Sequence, residues 1–185
     1  AAEISPYELW DLLKKYGKPV AALSHTGATG MGTDWKKYEK FDYSSENVVE
    51  IYQGARVSYE GAGAPQPTVG LRPNQTYMIN GDAKAPPPKP VMNFGKFANG
   101  TYQTALSVGH NLGVFASSDH ISQHASYGGV YCKEFTREGI IEAMDNRRTI
   151  AATDKIYLNF TCNGEPLGSF VKTVKAPKLW LQVDG

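Results

Sequence analysis

Apolar and polar positions change their rhythm several times along the chain, and each rhythm predicts a different element. Leu9, Trp10, Leu12 and Leu13 share one helical face behind Ser5-Pro6-Tyr7-Glu8, with Ser at the N-cap, Pro at the first position and Glu at the third. That helix is expected to stop near Gly17. Pro19 to Ser24 is a short apolar run without polar alternation, the pattern of a buried parallel strand, and it ends at His25. A glycine-rich stretch from Thr26 to Trp35 follows. Val48-Val49-Glu50-Ile51-Tyr52 is a second β-rich run. Glu50 sits inside it, where a carboxylate is costly unless it is paired or bound to a cation.

From Gln53 to about Gly100 there is no strong period. Pro and Gly are dense there, ending in Ala85-Pro86-Pro87-Pro88-Lys89-Pro90. A long stretch of this kind is usually a lid or an insertion, and the prolines favour a stiff, extended backbone. Periodicity returns at Thr101, with Tyr102, Ala105, Leu106 and Gly109 on one face of a short helix. Leu112 to Ala116 predicts a third buried strand, ending at Ser117-Ser118-Asp119-His120. Gly129 to Cys132 predicts a fourth. Thr136 caps a helix running to about Arg148, with Ile140, Ile141, Ala143 and Met144 inward, and Thr149 to Ala152 predicts a fifth strand. Beyond Asp154 the pattern alternates: Ile156 to Cys162, the turn Asn163-Gly164, Leu167 to Val174, then Lys178 to Val183. This is an antiparallel tail.

The bulk numbers narrow the classes. A chain of 185 residues suits one domain, or one domain with part of another. The fractions of 41% hydrophobic and 20% charged residues are those of a globular protein, so disorder is not the default. A formal charge of +1 gives no global attraction to nucleic acid or to an anionic membrane. No run approaches the roughly 18 consecutive apolar residues of a membrane span. Ala1-Ala2-Glu3-Ile4 lacks the basic end and apolar core of a signal peptide and is compatible with an end left by processing. Cys132 and Cys162 form neither a CxxC motif nor a disulfide framework. Two buried free thiols is the plain reading, with one disulfide the alternative if the chain is exported.

Three buried strands thus carry chelating residues at or near their ends: His25, Glu50, and Asp119 with His120. In parallel α/β architectures ligands bind at the carboxyl ends of strands. Imidazole and carboxylate together suit zinc, manganese or iron. His124, four residues past His120, would join the cluster or hold substrate. Each residue also has a structural reading: His25 as a hydrogen-bonded strand end, Asp119 as a turn cap, Glu50 as half of a buried ion pair. A serine nucleophile has less support, because no Gly-x-Ser-x-Gly elbow is present. The glycine-rich loop lacks the Lys-Ser/Thr ending of a phosphate-binding loop.

Four segments carry a resemblance: Ser24 to Trp35, Val49 to Gly54, Ala116 to His124, and Phe135 through Arg147-Arg148-Thr149 to Asp154. Together they resemble the DUF3604 branch of the PHP (polymerase and histidinol phosphatase) superfamily. The resemblance implies metal-dependent hydrolysis, usually of phosphoesters, in a distorted (β/α)₇ barrel with two or three divalent metals at its C-terminal mouth. It matches His25 to a histidine motif, and Asp119 with His120 to the last Asp/His motif. The usual motif separates Asp from His by one residue, so His120 and His124 compete for one role. Glu50 is implied as a metal-site residue, in direct contact or behind it. Arg56 and His124 are implied as groups that neutralise charge on the substrate.

The family's first strands, with their His-x-His and Asp-His motifs, have no counterpart here. The expectation is therefore the C-terminal half of a TIM-like barrel over 1–154, with a long loop at 53–100 and an antiparallel β extension at 155–185. A second chain supplying the N-terminal half is the expected partner, with a small phosphorylated substrate. Three sequons, at Asn74, Asn99 and Asn159, together with the start of the chain and exported members of the family, favour a periplasmic or extracellular location. The alternative function is a non-catalytic structural or binding subunit.

Overall fold

The computed structural model describes residues 5–25, 27, 33–37, 45–53, 77–79, 82–84, 98–118 and 126–185. Helix α1, Pro6–Tyr16, begins with the expected capping box. The Ser5 hydroxyl accepts from Glu8 N at 3.3 Å, and Ser5 N donates to the Glu8 carboxylate at 2.8 Å. It ends at Gly17, whose φ of 68° lies in the left-handed region that glycine enters at little cost. Its apolar face is less covered than the spacing suggests. Trp10 is buried, but Leu9 and Leu12 are exposed.

Strands β1 (Ala22–Ser24), β2 (Glu46–Gln53) and β5 (Gly113–Ser117) form a parallel sheet in the order β1-β2-β5. The register of β2 on β5 slips between Glu50 and Tyr52, opposite Phe115 and Ala116. One side of this sheet packs on Trp35, Val49, Ala105 and Leu112, with Ile51 and Tyr102 against them. Trp35 comes from a single 3₁₀ turn at Trp35–Lys37, and its ring nitrogen donates to Gly100 O at 3.2 Å. Ala105 comes from α2, Tyr102–Ser107, capped by Thr101. Fully burying a side chain of the Val or Leu class contributes about 1.5–3 kcal/mol. This cluster therefore holds the sheet to α2. The opposite side of β2 carries Val48 and Glu50, and the register of β1 on β2 slips between Ala22 and Leu23, opposite Glu46 and Val48.

Within 53–100, where no period was evident, β3 (Tyr77–Ile79) and β4 (Asp82–Lys84) pair antiparallel. The Asn80-Gly81 dipeptide between them in the sequence is the hairpin signal. After β5 the chain forms β6 (Tyr127–Val130), α3 (Arg137–Asp145) and β7 (Thr149–Ala152). Ala143 and Met144 of α3 are buried, while Ile140 and Ile141 are half-buried.

The expected half of a (β/α)₇ barrel is not what the chain forms. A barrel half needs a continuous parallel ladder with a helix after each strand. Here β7 lies beside β5 but pairs with β6, antiparallel, from Tyr127↔Ala152 to Val130↔Thr149. Among the described residues there are three α-helices, and the sheets are mixed and do not close. The architecture is a short parallel α/β sheet with antiparallel additions.

Residues after Asp154 make the antiparallel sheet that the alternation predicts. Its order is β10-β8-β9, from β8 (Tyr157–Cys162), β9 (Glu165–Pro166) and β10 (Leu179–Asp184). Asn163 and Gly164 turn the chain with φ of 53° and 86°, the positive pair that a tight hairpin requires. The strand expected over Leu167 to Val174 is replaced by the two-residue β9. Cys132 and Cys162 are half-buried free thiols. Among the described residues no helix is long and apolar enough to cross a membrane.

Candidate functional site

The parallel sheet brings three strands to one carboxyl edge. β1 ends at Ser24, so His25 follows directly. Glu50 lies in β2, and Ser117 is the last residue of β5. His25 Nδ1 is 2.7 Å from Glu50 Oε2. The Ser117 hydroxyl donates to Glu50 Oε1. Glu50 is buried, at 5% exposure, whereas the His25 side chain is 55% exposed. A buried carboxylate is thus compensated by two donors from neighbouring strands, which answers the desolvation cost of its position.

The chemistry of this arrangement is directional. The carboxylate accepts, so His25 carries its proton on Nδ1 and turns Nε2 away from Glu50. A carboxylate behind a histidine is the pattern that fixes the ring of a metal-bound imidazole. The residues therefore fit a divalent cation taken by Nε2. The geometry does not make a serine triad. Ser117 donates to the carboxylate and not to the imidazole, so His25 is not placed to take its proton.

A second polar cluster is built on Glu46, the first residue of β2. The ring nitrogen of Trp10 donates to Glu46 Oε2 at 3.0 Å, and the Ser24 hydroxyl donates to Glu46 Oε1. Ser24 Oγ is also 3.1 Å from Thr33 Oγ1. Burial pushes the Glu46 carboxyl up from its ordinary range, and the bonds from Ser24 and Trp10 oppose that rise without cancelling it. The sequence reading missed Glu46. Its signal was a carboxylate at the start of an apolar run, which burial obliges to find donors.

Of the residues singled out beforehand, the structure brings His25 and Glu50 together and adds Ser117 to them. Asp119, His120, His124 and Arg56 lie outside the described residues. The fourth histidine, His110, is buried elsewhere, its ring 5.5 Å from that of Trp35. Among the described residues no three His, Cys, Asp or Glu side chains converge as a metal group would require.

Fold and site define an α/β protein with a histidine–carboxylate pair at the carboxyl edge of a parallel sheet. No family model, curated protein or solved structure matches the chain.

Proposed function

We propose that the carboxyl edge of the parallel sheet contributes to a divalent-metal centre for phosphoester hydrolysis. The observation that carries this reading is the His25–Glu50 pair at 2.7 Å, with the carboxylate buried and the imidazole facing outwards. His25 would hold the ion through Nε2. Glu50 would fix the tautomer and orientation of the ring, with Ser117 fixing the carboxylate in turn. Asp119 and His120, two and three residues beyond Ser117 in the sequence, would supply further ligands. His124 and Arg56 would meet the charge of a phosphorylated substrate. A bound zinc, manganese or iron ion supplies Lewis-acid stabilisation of a phosphoryl group and lowers the pKa of an attacking water. A closed or catalytic site takes three or four protein ligands, so a second chain belongs to the reading as the source of any that remain.

The test is calorimetric titration of the purified chain with Zn²⁺ and with Mn²⁺, beside hydrolysis of p-nitrophenyl phosphate. Wild-type protein is expected to bind metal. His25→Ala, and separately Asp119→Ala with His120→Ala, are expected to lower both stoichiometry and turnover. Unchanged metal binding in both variants would overturn the assignment.

A binding module is the second reading. It is favoured by β10, where Leu179, Trp180, Leu181 and Val183 are all more than half exposed. Absence of bound metal and of any second polypeptide on intact-mass analysis would select it.

A further inference from the structure

The first residues of β5 and β7 meet at the end of the sheet opposite His25. Between them and the chain at Leu167 to Phe170 is a pocket of about 330 Å³, at the small end of the range for ligand sites, about 300–1,000 Å³. Leu106, Leu112 and Phe170 give it apolar walls. Its polar lining is Tyr102, Asn111, Arg147, Thr149 and Ser169, and three features, at Arg147, Thr149 and Gly113, point to a ligand.

Arg147 occupies an unusual position. After α3, Arg147 N bonds to Met144 O at 2.9 Å and Arg148 N to Ala143 O at 2.9 Å, the paired bonds of a Schellman cap. The left-handed residue of such a cap is usually glycine, yet here it is Arg147, at φ 57°. Holding a non-glycine residue there costs about 1–2 kcal/mol. The guanidinium lies over the Phe170 ring at 4.8 Å and donates to Asn47 Oδ1 at 3.1 Å. Among the described residues no carboxylate lies within ion-pair distance of it.

Thr149 supplies the second feature. It is 1% exposed, and its hydroxyl has no hydrogen-bond partner. A buried polar atom of this kind calls for a partner. Gly113 supplies the third. A Cβ there would lie 2.8 Å from Thr149 Oγ1 and 3.1 Å from Arg147 Cβ. The absence of a side chain lets the β5 backbone close directly on both residues, and Gly113 lines the same pocket.

We propose that this pocket binds a carboxylate borne on a small apolar body, with the anion on the Arg147 guanidinium and the Thr149 hydroxyl. One guanidinium suits one carboxylate, and the planar fork of arginine matches its two oxygens. The apolar body lies between Leu106, Leu112 and Phe170. The carboxylate can come from a free organic acid or from the C-terminus of a peptide. The site stands at the other end of the sheet from His25, independent of any metal there.

Calorimetric titration with 3-phenylpropionate and with N-acetyl-Leu-Phe, each against its neutral amide, tests the proposal. The acid of at least one pair is expected to bind at least about tenfold more tightly than its amide, the usual weight of a charge-assisted bond. Binding of the free acid identifies a small-molecule site. Binding of the peptide acid alone identifies a terminus. Arg147→Gln is expected to abolish the preference. Thr149→Val removes only the orphan hydroxyl, so it should melt no lower than wild type while binding the acid several-fold more weakly. Equal binding of acid and amide, no binding of either acid, or a Thr149→Val protein that binds like wild type would overturn the proposal.

Discussion

His25 Nδ1 and Glu50 Oε2 stand 2.7 Å apart, joining the residue after one parallel strand to the interior of the next. The pair fixes which ring nitrogen bears the proton. In wild-type protein the neutral His25 ring is expected to be the Nδ1–H tautomer in nitrogen-detected NMR spectra. Glu50→Ala should release the ring to the Nε2–H form and lower Zn²⁺ affinity by about 10–100-fold. An unchanged tautomer in that variant would show that the carboxylate does not direct the ring.

Glu46 makes stability depend on pH in a direction opposite to most carboxylates. Its pKa is raised from the usual 4.5 by burial, so the folded state holds the proton more tightly than the unfolded one. Its contribution is full below about 4.5 and is lost as pH rises through the higher folded value. Glu46→Gln should remove this loss. A glutamine oxygen can still accept from Trp10, and Ser24 can turn its proton towards Thr33. In urea unfolding, the stability of the variant relative to wild type should climb with pH from about 4.5 and then level off. A difference that stays flat from acid to neutral pH would refute this.

Gly128 is where the β6–β7 pair rests on the parallel sheet. A Cβ there would run into the Phe115 ring. Gly128→Ala is therefore expected to destabilise by about 1–3 kcal/mol through overpacking. Phe115→Leu, which shortens the ring side, should recover part of that loss. The double variant should show a coupling of at least about 0.5 kcal/mol in chemical denaturation. Simple additivity would mean that the two residues do not press on each other.

Asn163 serves two connections. It turns β8 into β9 at φ 53°, and its side-chain oxygen accepts from Lys178 N at 2.8 Å, just before β10. Asn163→Ala should cost about 1–3 kcal/mol, from left-handed strain and the lost bond. Asn163→Gly should cost less, because only the bond is lost. Thermal melts that rank glycine below alanine would contradict this division.

Local elements were legible where chemistry is local. The capping box at Ser5 and Glu8, the stop at Gly17 and the turn at Asn163-Gly164 follow from neighbours in sequence. The apolar runs ending at His25 and Ser117 are parallel strands, as their lack of alternation implies. What the sequence did not disclose was pairing. Gly129 and Val130 suit either a parallel or an antiparallel neighbour, and nothing in their own pattern names the antiparallel β7 as the partner. The half-barrel expectation failed at that point. The site was half legible. A carboxylate inside an apolar run announces that it has a partner, and His25 was among the candidates. Ser117 as the second donor, and the whole Glu46 cluster, depend on register between strands. Helix α1 misled for a similar reason, since an apolar face says nothing about what covers it.

The tail sheet has one further consequence. Its β10 residues point alternately to two sides, yet Leu179, Trp180, Leu181 and Val183 are all exposed, so neither side of this strand rests on a core. A three-stranded sheet with such an edge strand, its central strand only half-buried, is held mainly by its ladder and by one turn. Such a unit opens on its own, well below the free energy of global unfolding. Backbone amides of β8 and β10 should therefore exchange with deuterium much sooner than those of β2 and β5. The chain would then carry two clocks: a slow one in the parallel sheet and a fast one in the last thirty or so residues.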